Sequence, residues 1–193
     1  MPGTWVVVLA GGESRRFGSD KLAADLRGRS LLDATLDSVP PDLPVVVVGP
    51  ARAVRRPVRF VREEPPGGGP AAALVAGLTA ALEAGADRFA TLPGDAPVAG
   101  TAVAVLLKAL DPLELVVALG ADGQIFPLQL AGTAAGARRF VAAAGPERGA
   151  GASVRRLLES LDPPPGRVVL PPAAVLDVDT PADLTRIGKD LTA

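Results

Sequence analysis

Three short stretches of this chain carry residue types suited to handling phosphate and metal ions. The first is Leu9-Ala-Gly-Gly-Glu-Ser-Arg-Arg-Phe-Gly-Ser-Asp-Lys21. Gly11 and Gly12 permit a tight turn and leave backbone N–H groups open to an anion. Ser14, Arg15, Arg16 and Lys21 add donors and positive charge within one loop, as a polyphosphate would require. Only three lysines occur in the chain, and Lys21 is one of them. The second stretch is Pro93-Gly-Asp-Ala-Pro97. Its two flanking prolines stiffen the turn, and a fixed carboxylate suits Mg²⁺, which takes one or two protein carboxylates plus phosphate oxygens. Asp95 also fits an ordinary Asx turn. The third is Asp177-Val-Asp179, where alternation puts both carboxylates on one face of an extended segment. Asp179 precedes Thr180-Pro181, a helix start, so capping competes with a role as second metal ligand.

Composition removes other chemistries. With no cysteine, disulfides, thiolate nucleophiles and zinc–sulfur sites are excluded. With no histidine, so are a Ser-His-Asp triad and a HExxH zinc site. An enzyme here must work with carboxylates, Lys, Arg, backbone amides or an oxygen-bound metal. A net charge of −1 points to neither nucleic acid nor an anionic membrane. Trp5 to Ala10 is too short to span a membrane and lacks the basic lead and cleavage context of a signal peptide, so a cytoplasmic location is expected.

The elements that must position these residues alternate. Trp5–Ala10 and Pro44–Gly49 are continuous β-branched runs, as in strands buried on both faces. Ser30 can cap a helix through Val39, with Leu31, Leu32, Thr35 and Leu36 as its apolar stripe. Val58–Val61 is a short strand. Ala71–Ala84 is a helix ended by Gly85, and Arg88–Leu92 a strand running into the Asp95 turn. Thr101–Leu110 is a helix. Glu114–Leu119 and Ile125–Leu130 are strands around a hairpin turn at Gly120–Gly123. Helices follow at Thr133–Ala144 and Ala152–Leu161, then apolar runs at Val168–Leu170 and Val175–Val178. Pro181 opens the last helix with Thr180 as its cap. This order predicts a single-domain α/β fold, with a mostly parallel sheet and helices on both faces. Ligands bind such sheets at the carboxyl ends of strands, which would gather the ends after Ala10, Leu92 and Val178 at one edge.

Two further patterns carry less. Gly67-Gly-Gly-Pro-Ala-Ala72 formally matches a dinucleotide-binding fingerprint, but it does not follow the first strand and Pro70 interrupts it. Arg52, Arg55, Arg56, Arg59 and Arg62 form an acid-free basic run that reads as a solvated face.

The opening stretch resembles the LAGG-x-S-x-R-M-G-x-D-K signature of the molybdenum-cofactor guanylyltransferase (MobA-like) family, with Phe17 in place of Met. Four more stretches are similar to that family. Gly69-Pro70 resembles its GP-x-x-G helix start, with Ala73 for the second Gly. Pro93–Pro97 resembles its metal turn, and Ser153-Val-Arg-Arg-Leu-Leu158 its late helix. Val178–Leu184 resembles its N-x-N-T-P-E-D-L ending, with Asp177 and Asp179 replacing both asparagines.

The resemblance implies a Rossmann-like nucleotidyltransferase domain over residues 1–193. It implies nucleotide binding by Leu9, Ala10, Gly11, Gly12, Ser14, Lys21, Gly69 and Pro70. Arg16 and Lys21 would hold phosphates and act in catalysis with Asp95. Mg²⁺ would be the cofactor, on Asp95 and Asp179. The implied reaction is in-line attack by a phosphate oxygen of molybdopterin on the α-phosphorus of GTP, with release of pyrophosphate. That nucleophile is already ionised at pH 7, which agrees with a histidine-free chain. GTP and molybdopterin would be the small-molecule partners, with transient contacts to molybdoenzymes or cofactor-synthesis proteins. The alternatives are a molybdopterin cytidylyltransferase, a phospholactate guanylyltransferase, a sugar-phosphate enzyme, or a non-catalytic nucleotide-binding homologue.

Overall fold

A seven-stranded sheet organises the computed structural model, which describes residues 3–12 and 17–190. The elements in chain order are β1 (Thr4–Leu9), α1 (Leu31–Ser38), β2 (Val45–Val48), β3 (Arg59–Val61), α2 (Pro70–Glu83) and β4 (Arg88–Pro93). Then come α3 (Val103–Lys108), β5 (Leu115–Leu119), β6 (Ile125–Thr133), α4 (Ala134–Ala143), α5 (Val154–Glu159), β7 (Gly166–Val169) and α6 (Pro181–Asp190). The strand order is β3-β2-β1-β4-β6-β5-β7. Only β6 runs against its neighbours, β4 and β5; the other pairs are parallel. The sheet is therefore mostly parallel, as the alternation of elements predicts.

The two faces of the sheet explain the unbroken valine runs. Val6, Val8, Val45 and Val47 pack with Leu32, Leu36, Val103 and Leu106, from α1 and α3. Val7, Leu9, Val46 and Val48 pack with Leu74, Leu78, Phe140 and Leu158, from α2, α4 and α5. Each strand residue finds an apolar layer on whichever side it points, so neither side selects polar residues. Helix α2 lies flush on this sheet. A Cβ on Gly77 would stand 2.3 Å from Val7 Cγ1 and 2.8 Å from Val48 Cγ2.

A third, smaller core joins Leu26, Leu31, Ala34, Val178 and Ile187, with Phe17 and Leu184 packed on it. It fastens α6 to α1 and to the end of the glycine-rich loop. The residue that replaces Met in the signature is thus an anchor for that loop.

Caps set several boundaries. Ser30 accepts from Asp33 N at 3.0 Å and starts α1. Pro70 takes the first position of α2, where its missing N–H costs nothing. Thr180 Oγ1 accepts from Asp183 N at 3.2 Å, while Asp183 accepts from Thr180 N at 2.9 Å, a reciprocal capping box.

Three sequence expectations need correction. Val175–Val178 is not a strand: a 3₁₀ turn at Pro172–Val175 leads into an extended, unpaired segment. The start of the 101–110 helix is also 3₁₀, with α3 confined to Val103–Lys108. The arginine run is a solvated face only in part: Arg55, Arg59 and Arg62 are exposed, whereas Arg52 and Arg56 are half-buried. Arg56 donates to the carbonyls of Leu36 and Leu43, both at 2.8 Å, and of Val39 at 3.1 Å, closing the end of α1. Arg55 bonds Gly28 O at 2.7 Å, Arg52 bonds Asp20 at 2.8 Å, and Arg59 pairs with Glu83 at 3.5 Å.

Gly77→Ala forces α2 off the sheet and is expected to cost about 1–3 kcal/mol in urea unfolding. The Asp183 carboxyl, held by the Thr180 hydroxyl and then by Arg186, has its pKa lowered from 3.8 to about 2. Its stabilisation is present above 3.8 and lost as pH falls through about 2. Asp183→Asn is therefore expected to flatten the fall in stability across that window, measured by unfolding at stepped pH.

Candidate active site

The glycine-rich loop leaves β1 under tight constraint. Ala10 N donates to Val48 O at 2.8 Å, and Leu9 O accepts from Gly94 N at 2.8 Å. A Cβ on Gly94 would lie 2.9 Å from Leu9 O, so only glycine lets the Asp95 turn cross the end of β1 this closely. Thr35, fully buried on α1, donates its hydroxyl to Gly94 O at 2.9 Å. Sequence reasoning assigned Thr35 to the apolar stripe of the helix. Its hydroxyl instead fixes the turn that carries Asp95.

Beyond Ala10, Gly11 and Gly12 are exposed, and Gly12 has a φ of 113°. Nothing described stands within 4 Å of where a Cβ would be on either residue. Their backbone is accessible to a ligand. Ser14 and Arg16 lie outside the described residues.

Lys21 begins a 3₁₀ turn, Lys21–Ala23, whose N-cap is Asp20. Leu22 N donates to Asp20 Oδ1 at 3.1 Å. From this turn the Lys21 ammonium reaches, among the described residues, the Asp95 carboxylate, Val178 O at 3.1 Å and Asp179 Oδ1 at 3.4 Å. Val178 N in turn donates to Asp95 O at 2.9 Å. Three segments distant in sequence are thus laced together at the carboxyl edge of the sheet. The Lys21–Asp95 pair is shielded, with side chains 17% and 19% exposed, whereas Asp179 is 48% exposed.

Gly69 and Pro70 form no part of this lacing. They open α2, and the crossover from β3 to β4 puts that helix start at the same carboxyl edge. Gly69 has a φ of 89°, and no side chain caps the helix. Its first N–H groups carry the partial positive charge of a helix N-terminus.

The charges around Lys21 shift its titration and that of Asp177. Partial burial lowers the pKa of its ammonium, but Asp95, through a hydrogen bond and charge, and then Asp179 outweigh this and hold it above 10.5. Asp177 moves the other way from most acids. Loss of water contact first, then the negative charges of Asp95 and Asp179, raise its carboxyl above 3.8. Among the described residues the Lys21 ammonium pairs with two carboxylates, Asp95 and Asp179. All the donors are oxygens, the set that Mg²⁺ accepts. Among the described residues no three His, Cys, Asp or Glu side chains form a metal-holding group. An ion here would complete its shell with phosphate oxygens or water, as Mg²⁺ ordinarily does. The residues present therefore fit a divalent cation.

Comparison with known proteins places this arrangement in a family. The model of the MobA-like NTP transferase domain matches residues 6–164. The chain belongs to that family. The family match ends before Asp177 and Asp179, so the lacing of Lys21 depends on a segment beyond it. Molybdenum cofactor guanylyltransferase of Cereibacter sphaeroides is 36% identical over 96 residues, which is 47% of this chain and 49% of that protein. Probable molybdenum cofactor guanylyltransferase of Opitutus terrae is 44% identical over 94 residues, 47% of this chain and 46% of that protein. The chain spans about half the length of the curated relatives it matches.

Among solved structures, a Mycobacterium sp. strain JC1 homologue of Mycobacterium tuberculosis Rv0371c has a TM-score of 0.75. It is 25% identical, with 98% of this chain and 96% of that one covered. Molybdopterin-guanine dinucleotide biosynthesis protein A of Archaeoglobus fulgidus has a TM-score of 0.73 at 21% identity, over 97% of this chain and 98% of that one, and shares the fold.

Asp177 carries a testable cost. Its folded pKa lies above the unfolded 3.8, so ionisation disfavours the fold at neutral pH and is without effect below 3.8. Asp177→Asn is expected to stabilise the metal-free protein at pH 7. That gain should vanish in unfolding experiments below pH 3.8.

Proposed function

We propose that this protein is a Mg²⁺-dependent nucleotidyltransferase that transfers GMP from GTP to molybdopterin and releases pyrophosphate. The observation that carries the reading is the meeting of Lys21, Asp95 and Asp179 beside the open backbone of Gly11 and Gly12. Family membership, the names of the curated relatives and the signature from Leu9 to Lys21 support it. A solved Rv0371c structure in complex with manganese supports a divalent ion, although that protein is only 21% identical.

In this reading the backbone from Leu9 to Gly12 holds the nucleotide, with Ser14, Gly69 and Pro70 completing the contact. Arg16 and Lys21 hold phosphate oxygens. In the metal-free protein Lys21 is protonated at neutral pH, since Asp95 and then Asp179 hold its pKa above 10.5. Asp95 and Asp179 would hold Mg²⁺, which supplies neutralisation of phosphate charge. A phosphate oxygen of the acceptor forms a bond to the α-phosphorus of GTP. The bond from that phosphorus to the bridging oxygen breaks, and pyrophosphate leaves with the electron pair. No proton must be removed from the nucleophile, so no base is needed. Catalysis then rests on placement and charge. We place this activity in the cytoplasm; no helix among the described residues is long and apolar enough to cross a membrane.

Pyrophosphate release is expected from GTP, molybdopterin and Mg²⁺ together, and to fall about 10²–10³-fold in Asp95→Ala. A protein that releases none with any nucleoside triphosphate and acceptor is not this enzyme. In a thermal panel of GTP, CTP, ATP and UTP with Mg²⁺, GTP at 100 times its Kd should stabilise by about 2.7 kcal/mol. Stronger stabilisation by CTP would reject the guanylyl assignment in favour of cytidylyl transfer.

A further inference from the structure

We propose that Arg52 is a positioning residue for Lys21, acting through Asp20. Arg52 lies just beyond β2, on a different segment from the glycine-rich loop. Its Nη1 donates to Asp20 Oδ2 at 2.8 Å. The other oxygen of the same carboxylate, Oδ1, caps the turn that begins with Lys21, accepting from Leu22 N at 3.1 Å. The turn closes with Ala23 N on Asp20 O and Ala24 N on Lys21 O, both at 3.1 Å. One carboxylate therefore does two things: it caps the turn and takes the guanidinium. A carboxylate that only caps rotates about its side-chain bonds. One pinned at its second oxygen by a planar, permanently charged donor fixes where the turn begins. The direction of the Lys21 side chain toward Asp95, Val178 O and Asp179 follows from that start.

Arg52 is committed to this contact. Its side chain is 23% exposed against 52% for Asp20, and its Nε is buried with no hydrogen-bond partner among the described residues. An unpaired buried N–H is costly. The arrangement accepts that cost and keeps the guanidinium on Asp20. The platform beneath is also fixed, since a Cβ on Gly49, three residues before Arg52, would stand 2.4 Å from Ala10 O. The segment bearing Arg52 and the segment leading to Lys21 thus leave the sheet side by side.

The catalytic part of this proposal rests on the nucleotidyltransferase reading, but its structural part is measurable without turnover. Because the chain has three lysines, selective ¹³C,¹⁵N-lysine labelling yields three side-chain signals, with Lys21 assigned by its loss in Lys21→Arg. Arg52→Gln and Asp20→Asn are each expected to move the Lys21 signal toward its position in Asp95→Asn, and the double variant no further. Arg52→Lys, which keeps the charge without the planar fork, should recover part of the displacement. It also serves as the second variant if Arg52→Gln fails to fold. In the pyrophosphate assay, kcat/KM should fall about 10–100-fold in either single variant, with the double variant no worse. An unmoved Lys21 signal in the folded Arg52 variants overturns the proposal, even if thermal stability falls, because Arg52 would then only staple two loops. Strictly additive losses in the double variant overturn it as well. If the variants show the lysine displacement but the wild-type protein has no turnover, the nucleotidyltransferase reading is refuted and the Arg52–Asp20–Lys21 relay stands.

Discussion

The Lys21 ammonium is the point on which the candidate site depends. It sits among the Asp95 carboxylate, the Val178 carbonyl and the Asp179 carboxylate, and these come from two segments distant in sequence from Lys21 and from each other. Removing a charged side chain from water is unfavourable unless its partners compensate. Here they do, and the raised pKa of Lys21 records the balance. The result is a charged group held at the sheet edge, where a phosphate can compete for it. Because only the Lys21–Asp95 pair is well shielded, the exposed Asp179 is the softer side of the arrangement.

Close backbone packing makes this meeting possible. Gly94 lets the Asp95 turn cross Leu9, and Thr35 holds the same turn from α1. Gly77 brings α2 down on Val7 and Val48. These contacts tolerate no extra atom without displacement, so the carboxyl edge inherits its geometry from the core below. The small core under α6 does the same for the far side, where Val178 is fully buried between Leu31 and Ile187. Charged groups exposed on both flanks thus rest on apolar contacts that fix their backbone.

The negative charges of Asp95 and Asp179 add to the burial that raises the Asp177 carboxyl above 3.8. Functional sites commonly hold such strained electrostatics, which a bound cation or substrate relieves. The two aspartates at the positions where the resembled signature has asparagine sharpen this feature, since each adds a formal charge.

Much was legible in the sequence because it is local. Unbroken valine runs specify strands buried on both faces, and alternating elements specify an α/β sheet. Ser30, Thr180 and Gly85 mark helix ends through their own hydrogen bonds and dihedral angles. The glycines, Lys21 and Asp95 announce phosphate and metal chemistry by type and spacing. Other features depended on distance in space. A carbonyl such as Val178 O has no signature, because every residue carries one. Thr35 looked like part of an apolar stripe, since a buried hydroxyl shows its purpose only when its acceptor is known. The arginine run looked solvated throughout, because the carbonyls of Leu36 and Val39 at the end of α1 that Arg56 satisfies lie 20 and 17 residues away. Sequence alone therefore determined which residue types suit phosphate and metal chemistry and which segments carry them. Tertiary structure alone decided which of them meet, because an ammonium a few ångströms from a carboxylate is set by how helices and strands pack, not by the order of residues along the chain.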